Sequence, residues 1–457
     1  HAGMNSSLHP EARATSPDTS AFIYSLLRLP PEMPKVARIA IGQSYAVFCQ
    51  HGYGDLTTWA PTAARARRRR CFFNGKDTLA AFIASRSDIE DLIPTLVAYQ
   101  IEWNKLHVLL NRCPEDLLTP GVEDDAAGFP ARAEALEMGE EDLARLWAIW
   151  EDDFLANLLA IRSRAVSLRV QLLSGSYSDY QRATRSWWDS IEQACPDILD
   201  RPVYFVSSNP HSLPNILSGF ALRQQQTLVD YVQREEGPRL LEEWQAIQRG
   251  DPDASRENFL YYVLKKFQQT AAGAQMSAAQ RAEEAELGIS RVVNPEIFEI
   301  EAQVLRLSNL RPEWFDPRLL GGEQPLDEAE LQALRRSDAV ILNVDYPLGL
   351  AAYNILSKTA EHAGSLQGVY IMGKAATLNG VRGDVMIPGV VHDEHTQNTY
   401  LFQNGIRAAD VAPYLNNGTV LDNQKAVTVL GTFLQNSRVM DVIYREGYTD
   451  IEMEAGP

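Results

Sequence analysis

The residues able to do chemistry lie in a few short clusters. His392-Asp393-Glu394-His395 sets donor side chains in a row. On an extended backbone they alternate, so His392 and Glu394 share one side and Asp393 and His395 the other. Neither side supplies the three ligands of a zinc site, and no HExxH occurs elsewhere, so polar residues on a strand end or pocket wall are the plainer reading. Gly368-Val369-Tyr370-Ile371-Met372-Gly373-Lys374-Ala375 nearly matches the phosphate loop GxxxxGK[ST]. The residues between its glycines are apolar strand formers, however, and Ala375 lacks the hydroxyl that would meet Mg²⁺, which argues against a nucleoside triphosphatase. Gly42-Gln43-Ser44-Tyr45-Ala46 resembles a nucleophile elbow only weakly. The run Arg65-Ala66-Arg67-Arg68-Arg69-Arg70 reads as a solvated edge that balances an acidic chain, the alternative being an anion site. Ser207-Ser208-Asn209-Pro210-His211-Ser212 joins a strand to a helix start, where hydroxyls and N–H groups either bind phosphate or simply cap the helix.

The elements that must position these groups fall into two textures. Residues 1–20 read as a loose tail, with His1-Ala2-Gly3 as a cloning remnant before Met4. Residues 21–200 read as a largely α-helical N-terminal region. Leu79, Phe82, Ile83, Ile89, Leu92, Ile93, Leu96, Ile101, Leu106 and Leu110 recur at helical spacing, with Pro94 dividing the run, and a second helical pattern spans Leu143 to Leu173. From Arg201 onward strands alternate with helices. Strands are expected at Val203–Val206, Ile289–Val293, Ala339–Val344, Val369–Met372, Asp384–Val391 and Thr449–Met453. Helices are expected at Leu350–His362, Ala426–Phe433 and Arg438–Arg445, with a helical insert over 213–286. This alternation predicts an α/β domain over 201–457 whose mostly parallel sheet carries helices on both faces. No internal repeat is visible.

Composition limits the function classes. With 42 basic and 60 acidic residues the 457-residue chain carries a net charge of −18, which opposes general nucleic-acid binding. No apolar run approaches the ~18–20 residues of a membrane span. Cys49, Cys71, Cys113 and Cys195 are scattered, as reduced cytoplasmic thiols would be.

Three segments, taken in order, carry a resemblance: Val340–Gly349 with its Asp345-Tyr346-Pro347 turn; Val369–Leu378 followed by Gly383-Asp384; and Ile451-Glu452-Met453-Glu454-Ala455. Together they resemble the nucleoside phosphorylase/nucleosidase superfamily, AMP nucleosidase in particular, over about residues 200–457. The resemblance implies a purine nucleoside or nucleotide as ligand and cleavage of its N-glycosidic bond by water or phosphate. It implies that Glu454 grips ribose hydroxyls while Met453 packs on the sugar, and that Gly373, Lys374 and Ala375 form the sugar and base floor. Ser207, Ser208 and Asn209 would bind phosphate. The remaining expectations are no cofactor and no metal, no nucleic-acid or membrane partner from the charge and hydropathy, a cytoplasmic location from the scattered cysteines, and a homo-oligomer. Lys374 departs from the small or hydroxyl residue usual in that family, and the family's general acid would lie beyond Pro457. Asp345, Asp393 and Glu394 are the candidates to replace it. The rival expectations are a non-catalytic nucleotide sensor or scaffold, which the altered Lys374 and the missing acid suggest, and a metal-dependent hydrolase built on His392–His395.

Overall fold

Strands whose side chains are buried on both faces must sit inside a sheet, and two such strands organise the first third of the chain. They are β1 (Arg38–Gly42), buried apart from Arg38, and β4 (Thr78–Phe82), buried throughout. In the computed structural model, which describes residues 9–118, 128–235, 238–252, 254–294, 296–322, 325–415, 417–431 and 437–457, β1 and β4 pair in parallel. The short strands β2 (Ala60–Thr62) and β3 (Cys71–Phe73) run up and down beside β4, and β5 (Arg169–Leu172) closes the other side. The order is β2-β3-β4-β1-β5. The β3–β4 turn is set by Asn74, whose Oδ1 accepts from the N–H groups of Lys76, Asp77 and Thr78, and by Gly75 at φ +77°.

The second unit follows the same plan. Strands β6 (Pro202–Ser208), β7 (Ile289–Val292), β8 (Ala302–Arg306), β9 (Val340–Asp345) and β10 (Ser365–Ile371) lie in the order β10-β6-β9-β8-β7. Replacing β1 to β5 by β6 to β10 reproduces the first sheet's order and the direction of every pairing. The chain therefore contains a tandem topological repeat. Its connections hide it: β1 to β2 takes residues 43–59, whereas β6 to β7 takes 209–288 and holds the helical insert with its own core around Phe220, Trp244, Phe259 and Leu260. A third sheet, β11-β15-β14-β12-β13, contains β11 (Ala376–Thr377), β12 (Val385–Asp393), β13 (Asn398–Leu401), β14 (Val420–Thr428) and β15 (Asp450–Glu452).

The α/β expectation stands, with two corrections. Each sheet holds two parallel and two antiparallel pairings, so the sheets are mixed rather than mostly parallel. The antiparallel members are mostly short edge or hairpin strands with too few residues to show a pattern. The region expected to be largely helical contains the whole first sheet, because Leu79 to Phe82 is apolar at every position and reads equally as buried strand or helix. Likewise β14 occupies part of the expected helix 426–433, whose last two residues lie outside the described ones. Part of the expected tail is also anchored, with His9 buried 2.9 Å from Glu102.

Four helices join the units and frame the strand ends: α1 (Thr19–Arg28), α2 (Arg86–Leu110), α3 (Tyr177–Ala194) and α4 (Leu350–His362). Helix α2 runs through Pro94, which removes one backbone donor. The Glu90 carbonyl at that turn meets the backbone of Gly431, where a Cβ would collide with it. Helix α3 joins the two units, its Trp187 Nε1 donating to Ile300 O at 2.9 Å. Among the described residues no helix is long and apolar enough to cross a membrane.

Helices α2 and α4 occupy equivalent places after β4 and β9, and they meet through their first turns. Ser87 Oγ accepts from Leu350 N at 3.0 Å. The close approach requires Gly349, which has φ +53° and whose Cβ would overlap Ser87. Gly349→Ala should therefore cost about 2–4 kcal/mol in urea unfolding, from left-handed strain plus overpacking. Adding Ser87→Gly should return part of that loss; no recovery would place the cost elsewhere.

Candidate functional site

Strand polarity gathers the site. Asp345 ends β9, Gly373 and Lys374 follow β10, and Met453 and Glu454 follow β15. Because β3 and β8 run antiparallel to their neighbours, the residues just before them, Arg67–Arg70 and Phe298–Ile300, emerge at the same end of their sheets as the carboxyl ends of β4 and β9. All these groups line one cavity of about 380 Å³. It lies where α/β sheets place their ligands, beyond the strand carboxyl ends.

One wall is cationic. Arg28, Arg67, Arg68, Arg69, Arg70 and Lys374 face Asp88, Glu299, Asp345, Glu452 and Glu454, a concentration of positive charge unexpected in a chain of net charge −18. The arginine run is thus only in part a solvated edge: Arg65 and Arg68 are exposed, Arg67 and Arg70 half-buried and Arg69 buried. Asp88 and Asp91, in the first two turns of α2, draw it inward. Arg69 Nη2 lies 3.1 Å from Asp88 and 2.9 Å from Asp91, and Arg67 lies 2.7 Å from Asp91. Burial alone would push the Asp91 carboxyl up, but Arg67 and Arg69 outweigh it and hold it below the usual range. Arg67 also reaches Met453 Sδ at 3.8 Å, and Arg68 pairs with Asp345. Lys374 is exposed and has no hydrogen-bond or ion-pair partner among the described residues.

The opposite feature is a pair of carboxyl groups that resist ionisation. Burial, reinforced by Glu452, raises Glu454 to about 7 despite Arg67. Burial also raises Asp345, with Arg68 opposing and Glu301 and Glu299 assisting. A carboxylic acid titrating near neutrality is suited to proton transfer. Glu452 itself shapes the terminal turn, its Oε2 accepting from Glu454 N and Ala455 N at 2.6 and 2.7 Å.

Of the residues singled out from sequence, Gly373, Lys374, Met453, Glu454 and Asp345 meet on this cavity, whereas Ala375 lies just outside its lining. Ser207, Ser208 and Asn209 are also elsewhere. Ser207 and Ser208 are buried, Ser208 donating to Asn343 Oδ1 at 2.7 Å. Asn209 Oδ1 accepts from His211 N and Ser212 N, which uses up the N–H groups a phosphate would need. Asp393 does not reach the cavity either. It is fully buried, accepts from His395 Nδ1 at 2.8 Å, and His395 Nε2 meets Ser87 Oγ at 3.0 Å.

That Ser87–His395–Asp393 chain has the connectivity of a hydrolase triad. Its serine, however, is fully buried under Gly349, leaving no room for an acyl group at Oγ. It fastens α2, α4 and the third sheet together. The other members of the histidine-rich segment diverge, His392 toward Thr399 and Glu394 toward Leu430 N. Among the described residues no group of three or more His, Cys, Asp or Glu is gathered to hold a metal ion.

Sequence reasoning missed the arginine wall and this chain. The available signal for the first was the acidic Asp88-Ile89-Glu90-Asp91 opening the helix after the run, which offers partners for several guanidinium groups. Asp91→Ala, which takes the shared carboxylate from Arg67 and leaves buried Arg69 with Asp88 alone, should lower stability by about 3–5 kcal/mol in chemical denaturation. A loss under about 1 kcal/mol would show that the wall does not depend on it.

No curated protein and no solved structure matches the chain. A family model does, over residues 1–457, and by it the chain belongs to the Family of unknown function (DUF6909).

Proposed function

We propose that the cavity binds a purine nucleotide and cleaves its N-glycosidic bond. The observation that carries this reading is the convergence of Asp345, Gly373-Lys374 and Met453-Glu454, far apart in sequence, on one cavity beside a wall of arginines. The cations favour a phosphorylated ligand over a free nucleoside, with Lys374, Arg67 and Arg68 taking the phosphate in place of the Ser207–Asn209 turn. In the reaction the C1′–N bond breaks, its electron pair leaves with the base, the base nitrogen takes a proton, and water or phosphate adds at C1′. The electrostatics favour Glu454 as proton donor, since it keeps its proton to about pH 7. Asp345, whose carboxyl burial raises while Arg68 acts against that shift, would in its ionised form face the positive charge that develops on the ribose. This exchanges the roles that the resemblance implied.

The test is incubation with a panel of nucleosides and 5′-nucleotides, with and without phosphate, followed by chromatography for free base. Release of base from a nucleotide is the expected result. Glu454→Gln should lower kcat about 10²–10⁴-fold, and Lys374→Gln should raise KM for the nucleotide more than for the nucleoside. Absence of free base from every compound would overturn the reading, and melting shifts without turnover would leave a binding protein.

Glu454 also makes a pH prediction. Its folded-state value, about 7, stands above the ordinary 4.5. The stabilisation from the protonated acid is complete below 4.5 and is lost as pH rises through about 7. Glu454→Gln, which stays neutral, should therefore gain about 3 kcal/mol relative to the unaltered chain between pH 4.5 and about 8 in parallel denaturation curves. A pH-independent difference would contradict the assignment.

A further inference from the structure

We propose that a second cavity, between the helical insert and the second sheet, is a separate binding site for a small polyanion bearing two or more phosphate or carboxylate groups. It does not rest on the glycosidic reading. This cavity is the larger, about 910 Å³. Four cations line it, Lys265, Arg281, Arg291 and Arg318, against the single carboxylate of Glu301. In a chain with 18 more acidic than basic residues, such a lining is built against the average.

The cations divide into two kinds. Arg291 is fixed between Glu284 at 2.6 Å and Glu301 at 2.9 Å, and Arg318 is held by buried Asp316 at 2.7 Å. Lys265 and Arg281 come from two neighbouring insert helices, Arg256–Gln268 and Gly273–Glu286, and have no carboxylate partner among the described residues. Two rigidly held guanidinium groups and two uncommitted cations on one concave surface suit an extended charge rather than a single small ion.

The wall also includes His211 and Ser212, the end of the turn that the sequence left open between phosphate binding and helix capping. Its contribution is through side chains, since Asn209 occupies the backbone N–H groups. Burial first, then Lys265, Arg291 and Arg68, lower His211 to about 4, so its imidazole is neutral at physiological pH and adds hydrogen bonds without competing charge.

Calorimetric titration of the full chain with inorganic pyrophosphate, and separately with citrate, tests the proposal. Saturable binding of at least one of them is expected, and pyrophosphate alone, citrate alone or both would distinguish phosphate from carboxylate chemistry. The double variant Lys265→Gln/Arg281→Gln, checked for unchanged circular dichroism and melting, should weaken that binding at least tenfold. Lys374→Gln, on the first cavity, should leave it within twofold. Should the insert helices prove sensitive, Arg281→Gln alone is expected to weaken binding about threefold. Binding of neither probe would overturn the proposal, as would a double variant that binds like the unaltered chain or loss of binding only in Lys374→Gln. Nucleotide turnover can fail in all these proteins without touching this result, and pyrophosphate binding can fail while turnover persists.

Discussion

The contact on which the rest depends is the buried ion cluster of Arg69 with Asp88 and Asp91. A guanidinium group stripped of water is costly, and only close, hydrogen-bonded carboxylates repay that cost. Burial would lower Arg69's affinity for its proton, yet the two aspartates outweigh it and raise it. Because those aspartates sit on α2, which packs into the core through Leu92, Leu96, Tyr99 and Trp103, the arginine run inherits the position of the helix. Arg67 shares Asp91 and reaches the terminal turn, so one cluster sets the cationic wall and its distance from Glu454.

The duplicated topology explains why a site forms here at all. Each unit presents the ends of its β4- or β9-type strand, the start of the following helix and the loop before its β3- or β8-type strand on one rim. The two rims touch through Ser87 and Leu350 N, and through Arg70 Nη1 donating to Ile297 O at 2.8 Å. The third sheet closes the third side, held by the Ser87–His395–Asp393 chain. Three units that each bury their own core can shift relative to one another unless polar contacts fix their register. Directional hydrogen bonds supply that geometry where apolar contact is indifferent to small slides.

Much of the second unit was legible in the residues. β6, β7, β9 and α4 lie within one or two residues of their expected bounds, because Val203-Tyr204-Phe205-Val206 and Val340-Ile341-Leu342 are β-rich runs bounded by turn residues. The first sheet was not legible. Leu79-Ala80-Ala81-Phe82 is apolar at every step, and a strand buried on both faces loses the alternation that would identify it. The repeat escaped for a related reason: Ile39-Ala40-Ile41 and Val203-Tyr204-Phe205 hold the same place in their sheets with unrelated side chains, between connections of very different length. Gly373, Lys374, Met453, Glu454 and Asp345 were singled out through the resemblance of three segments, and they meet on one cavity because each ends or follows a strand. Arg67–Arg70 were misjudged because a basic run looks solvated until its acidic partners, about twenty residues on, are seen to fold back beside it.

Glu454 and Arg69 show opposite solutions to burying charge in one small volume. Arg69 keeps its charge because Asp88 and Asp91 are within hydrogen-bond reach. Among the described residues Glu454 accepts only from Met453 N, at 3.2 Å, and has Glu452 as its neighbour, so it tends toward the neutral acid. A chain selected for stability alone would pair Glu454 or replace it by an amide. Its position, partly buried, facing cations that leave it unpaired and costing stability above pH 7, is what the proposed role of proton donor requires.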